Sequence, residues 1–225
     1  MNKLEKEFLK VMSEAFEAYN KFGARSNKKL IPLHSWIAKT VKNRLGADFK
    51  VNSLGNGSEK KLDGKYYPKR LDITVIKEDK ILATISFKFV TANYDQNSNN
   101  YFEQLLGETA NIRRVNVGFT HMLVLRAYTP YFDKNKGNLK DKQKKTEILN
   151  EHHLSKYIKL FLDQDFPHKP EVLGIIVTDF DGEGNCHFAD LNELKISNKT
   201  KKALNSELSL EKFIDRFVAL CLLKS

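Results

Sequence analysis

Long apolar runs are missing from this chain of 225 residues. None approaches the ~20 residues that a membrane-spanning helix needs. The N-terminal stretch MNKLEKEFLKVM carries charges throughout and lacks an apolar core, which excludes a secretory signal. Cysteine is scarce: Cys186 and Cys221 are the only two, with no metal-like spacing, so neither a disulfide framework nor a thiolate zinc site is expected. These absences point to a reduced, cytoplasmic protein with no membrane partner. No internal repeat is visible, and no linker divides the chain. One domain over residues 1–225 is therefore expected. Its helices lie at 1–50, a sheet core at 64–180 and a terminal helix at 205–225. Basic residues are in excess, 38 Lys and Arg against 28 Asp and Glu, for a net charge of +10, which suits a polyanionic partner.

Apolar periodicity organises the rest. Leu4, Phe8, Met12, Phe16 and Tyr19 recur at helical spacing, so Lys3 to Phe22 reads as an amphipathic helix. A second helix is expected from Ser35 as N-cap, carrying Trp36, Ile37, Val41 and Leu45 inward. LGADFKVNSLGNGSEKKLDG reads as loop with a short edge strand. Two strands follow, KRLDITVI and KILATISFKFV, joined by the turn KEDK. NYDQNSNN reads as a loop, and NNYFEQLLGETANIRR as a helix with Phe102, Leu105, Leu106 and Ile112 as its apolar stripe. THMLVLRAYTPYF is expected as one strand, and DKNKGNLKDKQKKTE as a charged, mobile connector. EILNEHHLSKYIKLFL is a helix, EVLGIIVTDFDGEG a strand and SLEKFIDRFVALCLLK a helix. This order predicts an α/β fold with a mixed β-sheet flanked by helices.

Strand alternation isolates a polar group. In ISFKFV, Ser86 and Lys88 share the face opposite Ile85, Phe87 and Phe89. In RLDITVI, Asp72 and Thr74 oppose Leu71, Ile73 and Val75. For the apolar sides to meet one core, the turn must hold an odd number of residues, such as Glu78–Asp79–Lys80, or the pair must contain a bulge. Asp72 then stands opposite Ser86, with Lys88 diagonal to it. A carboxylate can hold a hard divalent cation, and a neighbouring ammonium can stabilise charge developing on a phosphoryl group. Mg²⁺ uses one or two carboxylates, so one more acid is wanted. The bland alternative is an ion pair of Asp72 with Arg70 or Lys88, worth ~0–1 kcal/mol at a surface.

Asp72 followed by a strand ending in Ser86-Phe87-Lys88 resembles the PD-(D/E)xK nucleases, and most closely the type II restriction endonucleases. The resemblance covers about Gly64 to Arg114. It departs from the pattern in having R-L-D for P-D, with Pro68 shortly before, and Ser86 where the second acid usually stands. It implies a restriction-endonuclease-like core and Mg²⁺-dependent hydrolysis of duplex DNA. By the S-x-K variant of the family, Asp72 and Glu103 are metal ligands and Lys88 the catalytic lysine. The Phe87 carbonyl completes the metal shell and Ser86 supports it by hydrogen bonding. Gly107 lets the Glu103 helix approach the sheet, and Glu108 is the alternative acid. The two glutamates are about 140° apart on an ideal helix, so both cannot face one site. A homodimer follows if both strands of a palindrome are cut.

Other residues suit DNA contact by their chemistry. Asn93, Gln96, Asn97 and Asn99 offer amides for adenine, and Arg113 and Arg114 can grip phosphate or guanine. Lys134 and Lys136 begin a basic run that can hold the backbone. Competing functions are a repair or phage-processing nuclease of the same fold and a catalytically silent DNA-binding protein, for which Ser86 is the main support. His152 and His153 point about 100° apart on a helix and so cannot share a ligand. Cys186–His187 lacks a matching second pair for zinc. VTDFDGEG lacks the final glutamate and flanking helices of a calcium loop.

Overall fold

The computed structural model describes residues 1–24, 26–132 and 143–225. Six strands form the central mixed sheet: β1 (Lys50–Ser53), β4 (Ile73–Lys77), β5 (Lys80–Phe89), β6 (Gly118–Arg126), β9 (Val172–Phe180) and β10 (Cys186–Phe188). Their spatial order is β1-β4-β5-β6-β9-β10. The outer pairs β1/β4, β4/β5 and β9/β10 are antiparallel, whereas β5/β6 and β6/β9 are parallel. Two antiparallel ribbons lie outside this sheet, β2 (Lys60–Asp63) with β3 (Pro68–Leu71), and β7 (Tyr128–Phe132) with β8 (Gln143–Ile148). Among the described residues no helix is long and apolar enough to cross a membrane.

Helices cover both faces. On one face α1 (Lys3–Phe22), α2 (Leu30–Leu45) and α6 (Leu210–Leu223) bury Phe8, Met12, Leu33, Ile37, Val41, Phe213 and Phe217 against Ile73, Val75, Ala83, Ile85, Met122, Val124 and Ile176. On the other, α3 (Tyr94–Arg113), α4 (Glu151–Leu162) and α5 (Asn198–Asn205) bury Leu105, Ile112, Leu154, Tyr157 and Leu204 against Phe119, Leu123, Leu125, Leu173 and Ile175. The central strands are thus apolar on both sides, as a sheet covered twice requires. The helix α3 is the crossover between the parallel strands β5 and β6.

Several boundaries differ from the sequence expectation. A 3₁₀ turn at Asn27–Lys29 runs straight into α2, so the helix starts at Leu30 and Ser35 lies inside it. Ser26 caps that turn, its Oγ accepting the Lys28 N–H at 3.2 Å. Pro32 sits in the first helical turn, where a missing N–H costs nothing. The stretch from Tyr94 to Asn100 is helical rather than loop. Its entry is fixed from outside the helix: Asn93 adopts φ 53°, and its side chain donates to the Phe132 carbonyl and accepts the Phe132 N–H. The Asp95 N–H donates to Glu147, and Tyr94 and Ser98 are buried. These tertiary contacts override the weak helix propensity of the Asn-rich run.

THMLVLRAYTPYF divides at Ala127, its second half leaving the main sheet to pair as β7 with β8. At the division Tyr128 N–H donates to the buried Asp179, which also accepts from Arg126. Part of the charged connector is therefore the strand β8, and the rest, with Lys134 and Lys136, lies outside the described residues. The short helix α5 was not anticipated. Cys186 and Cys221 are free and buried.

The β4–β5 hairpin satisfies the parity condition by a bulge. Its turn holds only Glu78 and Asp79, both at positive φ (49° and 59°), the geometry of a two-residue hairpin turn. Val75 pairs with Ala83 but Ile76 pairs with Ile81, leaving Leu82 as the extra residue. Beyond the bulge Ile73 pairs with Ile85, so the register places Asp72 across from Ser86. The bulge also turns Leu82 inward with the first core and Ile81 toward the second.

Candidate functional site

Asp72 stands where β3 passes into β4. The chain leaves the two-stranded ribbon and joins the main sheet at this residue, and the regular ladder with β5 begins only at Ile73. The next position on β5 that faces this edge is Phe87, and its N–H finds the Asp72 carboxylate instead of a backbone partner, Phe87 N to Oδ2 2.9 Å. Because N–H and C=O of one strand residue point to the same edge, the Phe87 carbonyl also faces the gap beside Asp72.

Ser86 and Lys88 emerge on the α3 face of the sheet. The acid that meets them comes from α3, and it is Glu108. Its carboxylate accepts from Ser86 Oγ at 3.3 Å and from Gln104 Nε2 at 2.8 Å, and forms an ion pair with Lys69 of β3. Glu103 does not join them. It is exposed, on the side of α3 whose charge acts on Lys156 of α4. Buried positions of α3 include Leu105, Glu108 and Ile112. At about 100° per residue, Glu103 lies about 160° from Leu105 and Glu108 about 60°. Gly107 is likewise exposed, with open space where a Cβ would stand, so it is not what lets α3 approach the sheet.

These residues line one cleft of about 1040 Å³. Its floor is β5 with His121 of β6, which is paired in register with Ser86. One wall is α3, through Asn97, Tyr101, Gln104 and Glu108, and the other is the connection between α1 and α2, through Gly23, Ser26 and Lys29. Lys88 extends over the Tyr101 ring, Nζ 4.6 Å from its centroid, a cation–π contact that steers the ammonium along the cleft. Lys29 reaches in from the far wall, its Nζ donating to the Ala24 carbonyl at 2.7 Å.

The electrostatics follow from burial. Desolvation pushes the Asp72 carboxyl up to about 6; Glu108 adds to the rise, while the Phe87 N–H and Lys69 oppose it. Burial lowers the Lys88 pKa, against the pull of Glu108 and Asp72. Burial lowers that of Lys29 as well, and Lys88 adds to the effect by like-charge repulsion. His121 is held neutral, pushed down to about 4 by burial, and its Nδ1 is sealed with no hydrogen-bond partner among the described residues.

No protein-family model, curated protein or solved structure matches this chain. The chemistry of the cleft therefore rests on its own groups.

Asp72 and Glu108 line the same cleft, the charge of Glu108 acts on Asp72, and by strand geometry the Phe87 carbonyl faces the Asp72 edge. Among the described residues no group of three or more His, Cys, Asp and Glu is placed to hold a metal ion. Two carboxylates and a carbonyl are hard donors, the number and kind that suit Mg²⁺ with water completing its shell. A carboxyl pushed up chiefly by desolvation is relieved by a bound cation, a part that Lys69 already plays for Glu108. The donor set thus fits a hard divalent ion.

The remaining sequence candidates are dispersed. Asn97 lines the cleft, with its amide donating to the Asn93 carbonyl at 2.9 Å. Asn93 also lines the cleft, while its side chain fixes the start of α3. Asn99 accepts from Lys156, and Gln96 is exposed. Arg113 is tied to Asp165 and to the carbonyls of Phe166 and Lys169, so it anchors a loop. Arg114 is exposed and donates to the Tyr66 hydroxyl at 3.1 Å. His153, at the core edge, bonds Asp95 at 2.9 Å, and His152 does not join it there. Lys29, Lys69, Tyr101, Gln104 and His121 were not singled out by sequence. Gln104 had a signal, being four residues before Glu108 on the same helix face. Lys29 and His121 had none, since only the packing of α1–α2 and the β5/β6 register bring them in.

Proposed function

We propose that this chain is a Mg²⁺-dependent endodeoxyribonuclease with a restriction-endonuclease-like core, acting on duplex DNA in the manner of the type II restriction endonucleases. One observation carries the reading: Asp72, Glu108, Ser86 and Lys88, from three separate segments, meet in a single cleft. The αβ order around them, a hairpin followed by a helix and a parallel strand, supports the core assignment.

Asp72 and Glu108, with the Phe87 carbonyl, are the groups to hold the cation. A divalent ion held there would offset phosphoryl charge and make a bound water more acidic. The Phe87 N–H orients the Asp72 carboxylate, and Ser86 and Gln104 orient that of Glu108. Lys88, steered by Tyr101, positions the attacking water and stabilises charge on the phosphoryl oxygens. Lys69 acts as the counter-charge of Glu108. Hydrolysis joins the water oxygen to phosphorus and breaks the phosphorus–ester oxygen bond; the attacking water gives up a proton to solvent and the departing oxygen takes one from solvent, leaving a phosphate monoester on one strand end and a hydroxyl on the other. Cleavage of both strands at a palindrome implies a homodimer.

Incubation with methylation-free phage DNA and Mg²⁺ tests the reading. Discrete fragments are expected; smears or structure-dependent nicks indicate a repair or processing nuclease instead. Lys88→Ala should abolish cleavage and leave Ca²⁺-supported DNA binding within a few-fold of the unaltered protein; full activity in that variant removes the mechanism. A second reading, a silent DNA-binding protein, is favoured by the Lys69 ammonium already paired with Glu108. DNA binding with Ca²⁺ and no cleavage with Mg²⁺ would identify it.

A further inference from the structure

The β2–β3 ribbon stands outside the main sheet and ends at Asp72, so it borders the cleft directly. Its outward face carries one like-charge pair. Lys61 is paired in register with Arg70, and both are exposed. Like charges directly opposite on an antiparallel pair repel. Among the described residues neither forms an ion pair, although Asp63 lies on the same face of β2, two residues from Lys61. Lys65 at the turn and Arg114 at the end of α3 add two more exposed cations, with Tyr66 between them at 64% exposure. The Arg114 guanidinium lies over the Tyr66 ring, 5.9 Å from its centroid.

The ribbon is held rigidly. Asn111 of α3 is fully buried under its turn, accepting from the N–H groups of Tyr66 and Tyr67 at 2.8 and 3.2 Å and donating to the Tyr67 carbonyl at 3.0 Å. The Lys65 N–H donates to the Asn111 carbonyl. A Cβ at Gly64 would fall 2.2 Å from the Asn111 amide nitrogen, so only glycine permits this approach. Inward from Arg70, Lys69 is bound to Glu108. The same helix therefore fixes both the acid of the cleft and the base of the ribbon. A rigid display of unpaired cations loses little entropy on meeting a polyanion, and a two-stranded ribbon has the width to enter the major groove of B-DNA.

We propose that the β2–β3 ribbon is a duplex-DNA grip: it enters the groove beside the cut site, with Lys61, Arg70, Lys65 and Arg114 on backbone phosphates. The assignment of DNA as partner rests on the proposed function, but the grip needs no catalysis. It is tested with a 30-base-pair duplex in EDTA, where no cleavage occurs, by measuring affinity against salt for the unaltered protein and for Lys61→Gln/Arg70→Gln. The control is Lys199→Gln/Lys202→Gln, two exposed lysines of α5, which removes the same charge elsewhere.

Loss of two phosphate contacts should lower the slope of log K against log salt by about 1.8 and weaken binding about 60-fold at ~0.1 M salt. The control should stay within about threefold. Equal slopes for the ribbon variant and the control overturn the grip even if Mg²⁺-dependent cleavage is intact. A ribbon variant that loses affinity for single strands but not for duplex overturns it as well. Ribbon-dependent duplex binding without any Mg²⁺-dependent cleavage upholds the grip and removes the nuclease reading.

Discussion

Replacing Asp72 by Asn should make the protein more stable at neutral pH while destroying its activity. The carboxyl lies in a desolvated gap beside Glu108, and its pKa rises from 3.8 to about 6. Since the folded-state value exceeds the unfolded one, the folded chain binds the proton more tightly, and stability falls as pH rises between the two values. Fully ionised, a carboxyl so displaced weakens folding by about 3 kcal/mol, at about 1.36 kcal/mol per tenfold change in proton affinity. Asparagine carries no charge to desolvate, and its side-chain oxygen can still accept the Phe87 N–H. A gain of about 1–3 kcal/mol is therefore expected at pH 7.5, or about 2–4 °C in Tm for each kcal/mol in a chain of this size.

The measurement is denaturant unfolding of both proteins in EDTA at pH 7.5 and pH 4. At pH 4 the carboxyl is protonated in the fold and close to half protonated in the unfolded chain, so the gap should shrink below ~1 kcal/mol. Mg²⁺ should reverse the order at pH 7.5 by stabilising only the unaltered protein. Cleavage by the variant should fall by about 10³-fold or more, since loss of an oriented charge at a cation site removes several kcal/mol of transition-state stabilisation. If the variant is less stable at pH 7.5, or gains the same at both pH values, then Asp72 is an ordinary ion-pair or strand-end residue and its proposed role goes with it.

Glu108→Gln should lower cleavage by about 10²–10³-fold, whereas Glu103→Gln should leave it within about twofold, by the same transition-state arithmetic; comparable losses from both would contradict the helix phase. Gly174→Ala should destabilise the protein by about 1–3 kcal/mol through overpacking. Its Cβ would lie 2.7 Å from the Phe213 ring that seats α6 on β9, and unfolding curves report the change.

The layered α/β arrangement was legible because its main helices and central strands carry strong periodicity. Phe8, Met12 and Phe16 mark one helical stripe, and Ala83, Ile85 and Phe87 one face of a strand. What escaped was decided by distant partners. The Asn-rich stretch lacks an apolar stripe, and it is helical because Phe132 holds the side chain of Asn93 just before the helix and Glu147 takes up the Asp95 N–H of its first turn. The break at Ala127 depends on Asp179, about fifty residues away, taking up the Tyr128 N–H. No local pattern encodes either.

The acid that meets Ser86 is a different case, because its position was encoded. Phe102, Leu105, Leu106 and Ile112 fix which side of α3 meets the sheet, and the phase excludes Glu103 while admitting Glu108. The same phase places Gln104, Glu108 and Asn111 along one flank of α3. Gln104 and Glu108 face the cleft, and Asn111 faces the ribbon turn. A shift of this helix by one residue would therefore disconnect the carboxylate from Ser86 and the ribbon from its anchor together. Hydrogen bonds from outside the helix hold it against such a shift at both ends, through Asn93 at its start and Arg113 at its finish.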